Sequence, residues 1–269
     1  MLISVCSSQH ITGFDGTKEF LMAEWYKDAF DEYYTEVYWH RDEEEARKFA
    51  AFLNNRIPLR GLRVLDVCCG EGRHMRALRD VGAICFGLDL SGALLGKLKG
   101  KAPSDTPLIA RGDMRSLPFK RECFDLCINM FTSLGYFEER RDELQVLQEV
   151  SRILKPGGHF VLDYMNSHWV RSNLEPRTVR ARGELIIEET RRLLPERRIL
   201  EKRTVIRSAS TPSVEVRDYI ERLALFDRPV LEQMLGDTGF DIVSLHGDYE
   251  GGPFQEKSST RLLIVSRKD

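Results

Sequence analysis

The sequence contains no uninterrupted apolar run near the roughly 20 residues that a bilayer crossing requires. Its opening stretch, MLISVCSSQHITGF, lacks the basic flank and long apolar segment of a secretion signal. A membrane is therefore not expected as a partner, and the cytoplasm is the expected compartment. No charge of one sign dominates either: Lys and Arg number 40 against 42 Asp and Glu, for a formal charge of -2. With no global positive field to gather phosphates, nucleic acid is not an expected partner. The six cysteines, Cys6, Cys68, Cys69, Cys85, Cys123 and Cys127, never stand in the paired C-x-x-C spacing of a zinc site. Most fall in or beside apolar runs, where a reduced thiol packs as a small hydrophobe, so neither metal nor disulfide is expected. No internal repeat and no low-complexity tract is visible.

A chain of 269 residues can bury one full core with a small subdomain added. Residues 17 to 55 read as helical, because apolar and aromatic positions recur at three- and four-residue steps through FLMAEWYKDAFDEYY and again through EEEARKFAAFL. From residue 62 the period changes. LRVLDV, AICFGLDL, PLIA and FDLCINMF are short apolar strands separated by helical stretches, the rhythm of a parallel sheet. A further helix, EERRDELQVLQEVSRIL, stops at Lys155-Pro156-Gly157-Gly158, and HFVLDYM follows as a strand. The β-rich segments that come next predict an inserted antiparallel sheet, after which a helix from about 228 to 237 and two last strands complete the core.

The chemistry concentrates in VLDVCCGEGRH, residues 64 to 74. A strand ending at Asp66 runs through a turn with Gly70 and Gly72 into a helix, so backbone N–H groups and a carboxylate meet at the carboxyl end of the sheet, where ligands of open α/β sheets bind. A lone G-x-G is common. A dinucleotide fingerprint would place its third small residue at 75, which is Met75, and Asp66 disfavours a pyrophosphate, so a nicotinamide oxidoreductase is not expected. Asp89 ends the second strand 23 positions after Asp66 and suits the hydroxyls of a ribose; Asp113 follows the third strand 24 positions later.

Taken in order, VLDVCCGEGRH, GLDLS, RGDM, FDLCINMFTSLGYF and LKPGG resemble the successive motifs of class I S-adenosylmethionine-dependent methyltransferases, over residues 62 to 164. The nearer likeness is to a bacterial small-molecule branch that includes amino-sugar N,N-dimethyltransferases and glycine or sarcosine N-methyltransferases. The resemblance implies an α/β fold: a doubly wound, Rossmann-like, mostly parallel sheet of seven strands, with N-terminal helices and an inserted antiparallel subdomain. The expected divisions are a helical cap at 1-61, a cofactor-binding core at 62-176, the inserted sheet at 177-226 and the rest of the core at 227-269.

The same resemblance implies S-adenosyl-L-methionine as cofactor. Gly70 and Gly72 would accommodate its methionine portion, Asp66 would face its ammonium, Asp89 its ribose and Asp113 its adenine amino group. Cys68, Leu90, Met114 and Met130 complete the expected cofactor contacts, although Met114 and Met130 serve equally well as core packing. Most rings of the N-terminal aromatic cluster would simply cover the sheet edge. In the resembled branch an N-terminal tyrosine segment folds over the cofactor, which makes Tyr34, Tyr38 and Arg41 candidates to close the site.

Tyr136, Tyr164, Asn166 and His168 follow strands whose carboxyl ends face the acceptor, and they are the expected substrate contacts. No catalytic base is assigned, and His74, His159, His168 and His246 read as ordinary residues. Where glycine-type enzymes of the branch place an arginine, this chain has Met165, so glycine is not the expected acceptor. Nine arginines of the insert, Arg177, Arg180, Arg182, Arg191, Arg192, Arg197, Arg198, Arg203 and Arg207, alternate with glutamates and predict a charge-paired, solvated face. A rim that steers an acidic substrate, or a contact in a homodimer, is the alternative. The expected activity is methyl transfer to nitrogen or oxygen of a small molecule. An RNA or protein methyltransferase, and a cofactor-binding module without catalysis, are the competing readings.

Overall fold

The computed structural model describes residues 24–100, 108–194, 196 and 198–269. The N-terminal run breaks into two single-turn helices, α1 (Tyr26–Ala29) and α2 (Tyr34–Val37), before the longer α3 (Glu43–Asn54). The helical stretch expected over residues 17 to 55 is thus divided into three helices where it is described, and its first seven positions lie outside the described residues. Local chemistry explains the breaks. Asp31 accepts the Tyr33 amide through its own carboxylate at 2.8 Å, and such short-range bonds compete with a helix. Asp42 then takes an extended conformation and caps α3 by accepting from the Glu45 amide at 2.9 Å.

The core sheet is built from β1 (Arg63–Val67), β2 (Ile84–Asp89), β3 (Leu108–Arg111), β4 (Phe124–Asn129), β5 (Leu154–Met165), β10 (Phe240–His246) and β11 (Arg261–Lys268). Its seven strands lie in the order β10-β11-β5-β4-β1-β2-β3, and β11 alone runs antiparallel to its neighbours. Helices α4 (Arg73–Asp80), α5 (Gly92–Gly100), α6 (Arg140–Ile153) and α8 (Arg228–Gly236) connect the strands. Alternation along the central strands divides the core in two. Leu65 and Val67 join one buried cluster with Val146, Val150 and Ile153 of α6, while Val64, Leu126 and Ile128 join another with Phe49, Ala50 and Leu53 of α3. The strand order reverses between β1 and β4, which opens a crevice at their carboxyl ends.

A second sheet of four antiparallel strands, β6 (Arg177–Arg182), β7 (Leu185–Leu194), β8 (Ile199–Ser208) and β9 (Glu215–Ala224), follows the short helix α7 (Ser167–Asn173). Ile187 and Ile206 pack on Val37 of α2, with Tyr33 and Tyr38 alongside, and so seat the cap on the insert. Eight of the nine arginines singled out in this region each lie beside a carboxylate, as in Arg177–Glu188 at 2.7 Å, Arg203–Asp218 at 2.6 Å and Arg182–Glu36 at 3.5 Å; Arg197 lies outside the described residues. This is a paired surface rather than a field of free positive charge. Among the described residues no helix is long and apolar enough to cross a membrane.

Candidate functional site

The loops after β1, β2, β3 and β4 converge on the crevice. In the first, Cys68, Gly70 and Gly72 have φ of 66°, 55° and 74°, a left-handed path that turns the chain sharply out of the strand and into α4. Glycine is required at 72, because a Cβ there would lie 2.5 Å from Leu98 Cδ1. The loop is tied to its neighbours through carboxylate and amide side chains. Asp89 accepts the Gly70 amide on Oδ2 and the Ser91 amide on Oδ1, both at 2.8 Å. Asn129 donates to the Val67 carbonyl at 3.1 Å and accepts from the Leu134 amide at 3.2 Å, which stitches the loops after β1 and β4 together.

Two carboxylates are held in opposite ways. Burial pushes the Asp89 carboxyl up, against the amides of Ser91, Gly70 and Leu90 that favour its charge. Burial opposes ionisation of Asp113 as well, but the Arg115 guanidinium overrides it, donating to both carboxylate oxygens and keeping the group below the usual range. Asp66 is the exception: both of its oxygens are buried with no hydrogen-bond partner, and burial, followed by the nearby Asp89, pushes its carboxyl well up. An orphaned buried carboxylate costs free energy that a cationic or donor-bearing ligand can recover.

Three adjoining cavities open along this rim, and Tyr34 and Tyr136 belong to the walls of all of them. The first, about 580 Å³, takes its wall from Cys68, Gly70, Asp89, Leu90, Asp113 and Met114 together with Tyr26 and Phe30. Tyr38, Arg41 and Met130 border the second, about 1370 Å³, beside the glycine turn. The third, about 1090 Å³, extends from Tyr38 and Arg41 past Asp163 and Tyr164 to Glu221 of the insert. Asp66, within β1, and Gly72, at the start of α4, do not contribute to these walls.

Rings and guanidinium groups form the roof. Arg41 donates to the Tyr34 hydroxyl at 3.0 Å and lies over the rings of Tyr38 and Phe131, 4.0 Å and 4.5 Å from their centres. Burial works against the Arg41 charge, but the adjacent Tyr34 and Tyr38 raise its pKa and keep the guanidinium charged. Phe30 stacks on Tyr136 with ring centres 5.5 Å apart. Phe131 and Thr132 adopt positive φ, 57° and 61°, a conformation uncommon for such residues that neighbouring bonds hold in place. The Thr132 amide donates to the Asp163 carbonyl at 2.9 Å, and its hydroxyl accepts from the Met165 amide at 2.9 Å.

The expected substrate contacts separate. Tyr136 and Tyr164 reach the cavities, but the Tyr164 hydroxyl is committed to the Ala224 carbonyl. Asn166 is corrected to a structural residue: its oxygen caps α7 at the His168 amide, 3.1 Å away, and its amide donates to the carbonyls of Glu256 and Ser259, each at 2.7 Å. His168 lies on α7, outside the three cavity walls. Sequence reasoning missed Asp163, Arg261, Trp169 and Glu221, which line the third cavity. For Asp163 a signal existed in an acid near the carboxyl end of an apolar strand; Trp169 comes to the rim on α7, Glu221 through the folded insert and Arg261 on the last strand. His74 is neutral, because burial and the guanidiniums of Arg73, Arg261 and Arg41 press its pKa well down.

The residues fit a nucleoside bearing a cationic, donor-rich tail better than they fit a pyrophosphate, since the glycine turn is flanked by an unsatisfied Asp66 and an acceptor Asp89. Among the described residues no cluster of three or more His, Cys, Asp or Glu has the placement of a metal site.

Comparisons with known proteins agree with this reading. Residues 65–162 match a family described as Methyltransferase domain. An uncharacterized methyltransferase of Synechocystis is 38% identical over 113 residues, which covers 41% of this chain and 51% of that protein, so the chain spans about half the length of this relative. The cypemycin N-terminal methyltransferase of a Streptomyces species is 24% identical over 222 residues, covering 81% of this chain and 88% of its own. Among solved structures, an amino pentose methyltransferase from Micromonospora echinaspora with S-adenosylmethionine bound superposes with a TM-score of 0.66, at 21% identity over 88% of this chain and 96% of that one.

Proposed function

We propose that the chain, whose residues 65–162 match a family described as Methyltransferase domain, uses S-adenosylmethionine to transfer a methyl group to nitrogen or oxygen of a small-molecule acceptor. The observation that carries the reading is the glycine turn whose Gly70 amide is held by Asp89, both lining the first cavity, with the orphaned Asp66 carboxyl in the strand that leads into that turn.

When bound there, the cofactor supplies an activated sulfonium methyl, so the protein needs no covalent intermediate of its own. Asp89 keeps free lone pairs for the ribose hydroxyls, Asp113 and the Met114 backbone border the adenine end, and Asp66 answers the ammonium. Arg41 closes the methionine end. Tyr34, Tyr136 and Phe131 exclude water from the passage between the first and third cavities, where an acceptor is aligned in line with the methyl.

A peptide acceptor is the second reading, favoured by the match to the cypemycin enzyme along most of both chains. The charge-paired insert offers no track for a phosphate backbone, which leaves RNA behind both. Titration calorimetry with S-adenosylmethionine and S-adenosylhomocysteine tests the cofactor site. Incubation with methyl-labelled donor and a metabolite extract, or a peptide pool, tests catalysis. Binding without label transfer to either would favour a module without turnover; no binding of either nucleoside would overturn the proposal.

A further inference from the structure

The third cavity carries three carboxylates, and two of them are answered by one guanidinium: Arg261 lies 2.9 Å from Glu45 and 3.0 Å from Asp163. Glu221 differs from both. It lines the cavity from β9 although it is only 3% exposed. Its Oε2 accepts from the Tyr38 hydroxyl and from Lys202 Nζ, each at 2.8 Å, whereas Oε1 has only a longer 3.1 Å bond to the same hydroxyl. Lys202 stands on β8 and is no part of the cavity wall. Its other carboxylate neighbour, Glu189 at 3.4 Å, is already paired with Arg180 and Arg191. Lys202 therefore pairs with Oε2 of Glu221, while Oε1 retains acceptor capacity towards the cavity.

Around it the cavity is aromatic, with Phe30, Tyr34, Tyr136 and Trp169 in the same wall. Ring faces attract alkylammonium groups, and a desolvated carboxylate prefers a charged N–H donor to an alcohol hydroxyl. Building on the methyltransferase reading, we infer that Glu221 binds the amine of the acceptor, which makes the acceptor a primary or secondary amine on a partly apolar scaffold. Glu221 is then a substrate-binding residue that selects nitrogen over oxygen. Tyr38, by donating to it, links the cap to the acceptor site.

The test uses full-length protein saturated with S-adenosylhomocysteine and two matched probes, benzylamine and benzyl alcohol, titrated by ligand-observed NMR. Wild type should bind the ammonium about tenfold more tightly than the alcohol, and Glu221→Gln should remove that preference. Lys202→Met should tighten benzylammonium severalfold, since Glu221 loses its internal cation; a purely structural role would weaken it instead. Both variants are compared only while they bind S-adenosylhomocysteine as wild type does. Equal binding of the two probes, or weaker ammonium binding in both variants, overturns the assignment and leaves the methyltransferase reading intact. Failure of wild type to bind S-adenosylhomocysteine would defeat that reading and the inference together.

Discussion

Replacing Glu143 with glutamine should make the protein more stable at pH 8 than at pH 5, relative to wild type. Glu143 is fully buried on α6, and its Oε1 accepts the amides of Gly135 at 2.9 Å and Phe137 at 3.0 Å, on either side of Tyr136. Its Oε2 has no partner. Burial raises the carboxyl from the usual 4.5 to about 7, against the two amides that favour its charge. A carboxyl whose folded pKa is raised holds its proton more tightly in the folded than in the unfolded chain. Its contribution to stability is thus fully present below about pH 4.5 and is lost as pH rises through about 7. At ~1.4 kcal/mol per pKa unit, the loss amounts to about 3 kcal/mol by pH 8. Glutamine keeps an acceptor for both amides and does not ionise. In urea unfolding followed by tryptophan fluorescence, the variant-minus-wild-type stability should climb by about 2–3 kcal/mol between pH 5 and pH 8. Glu143→Ala, which strands two buried amides, should instead cost about 2–4 kcal/mol at pH 5. A difference between Glu143→Gln and wild type that stays constant across this range would refute the reasoning.

Asp89→Asn retains one acceptor for the loop amides but loses the charge that favours ribose hydroxyls; calorimetry should show S-adenosylmethionine bound about 10–100-fold more weakly. Burial pushes the Asp66 carboxyl well up in the free protein, and an ammonium placed beside it would push it down. Cofactor binding should then release a proton, seen as an enthalpy that varies with the ionisation heat of the buffer, and Asp66→Asn should abolish that dependence. Gly72→Ala combines a positive φ with a Cβ 2.5 Å from Leu98 and should lower stability by about 1–3 kcal/mol in thermal unfolding. Ile206→Ala hollows the contact between insert and cap; a loss of about 2–4 kcal/mol is expected, with faster proteolysis near Val37.

What was legible in the sequence was whatever depends on near neighbours. The strand-turn-helix at Asp66 to Arg73 and the acids after β2 and β3 announce themselves through apolar periodicity and glycine spacing, because strand, turn and helix each impose a local pattern. The antiparallel insert was legible for the same reason, through three of its four strands; β6 was not among the segments that read as β. The breaks between the helices of the cap were not legible, because helical spacing of apolar residues does not reveal where a side chain such as Asp31 takes the backbone bond for itself. Asn166 looked like a substrate contact from its place after a strand; three fixed partners, two of them about 90 residues away in the chain, set its actual role.

Glu221 exposes the limit most sharply. In SVEVRDYIERLALF it reads as one charge in an alternating strand, with nothing local to separate it from Glu215 or Arg222. Its character comes from Lys202, its directly paired position on β8, and from Tyr38, 183 residues away, which reaches it from the end of α2, where Val37 packs on Ile187 and Ile206. The hydrophobic contact that docks the cap also adjoins the residue that brings a hydroxyl to the third cavity. Weakening that contact should therefore cost amine preference as well as stability. Ile206→Ala, although it touches neither cavity nor cofactor, is expected to lower the benzylamine over benzyl alcohol ratio in the same NMR titration. An unchanged ratio in a measurably destabilised Ile206→Ala protein would show that the position of Tyr38 does not depend on this packing.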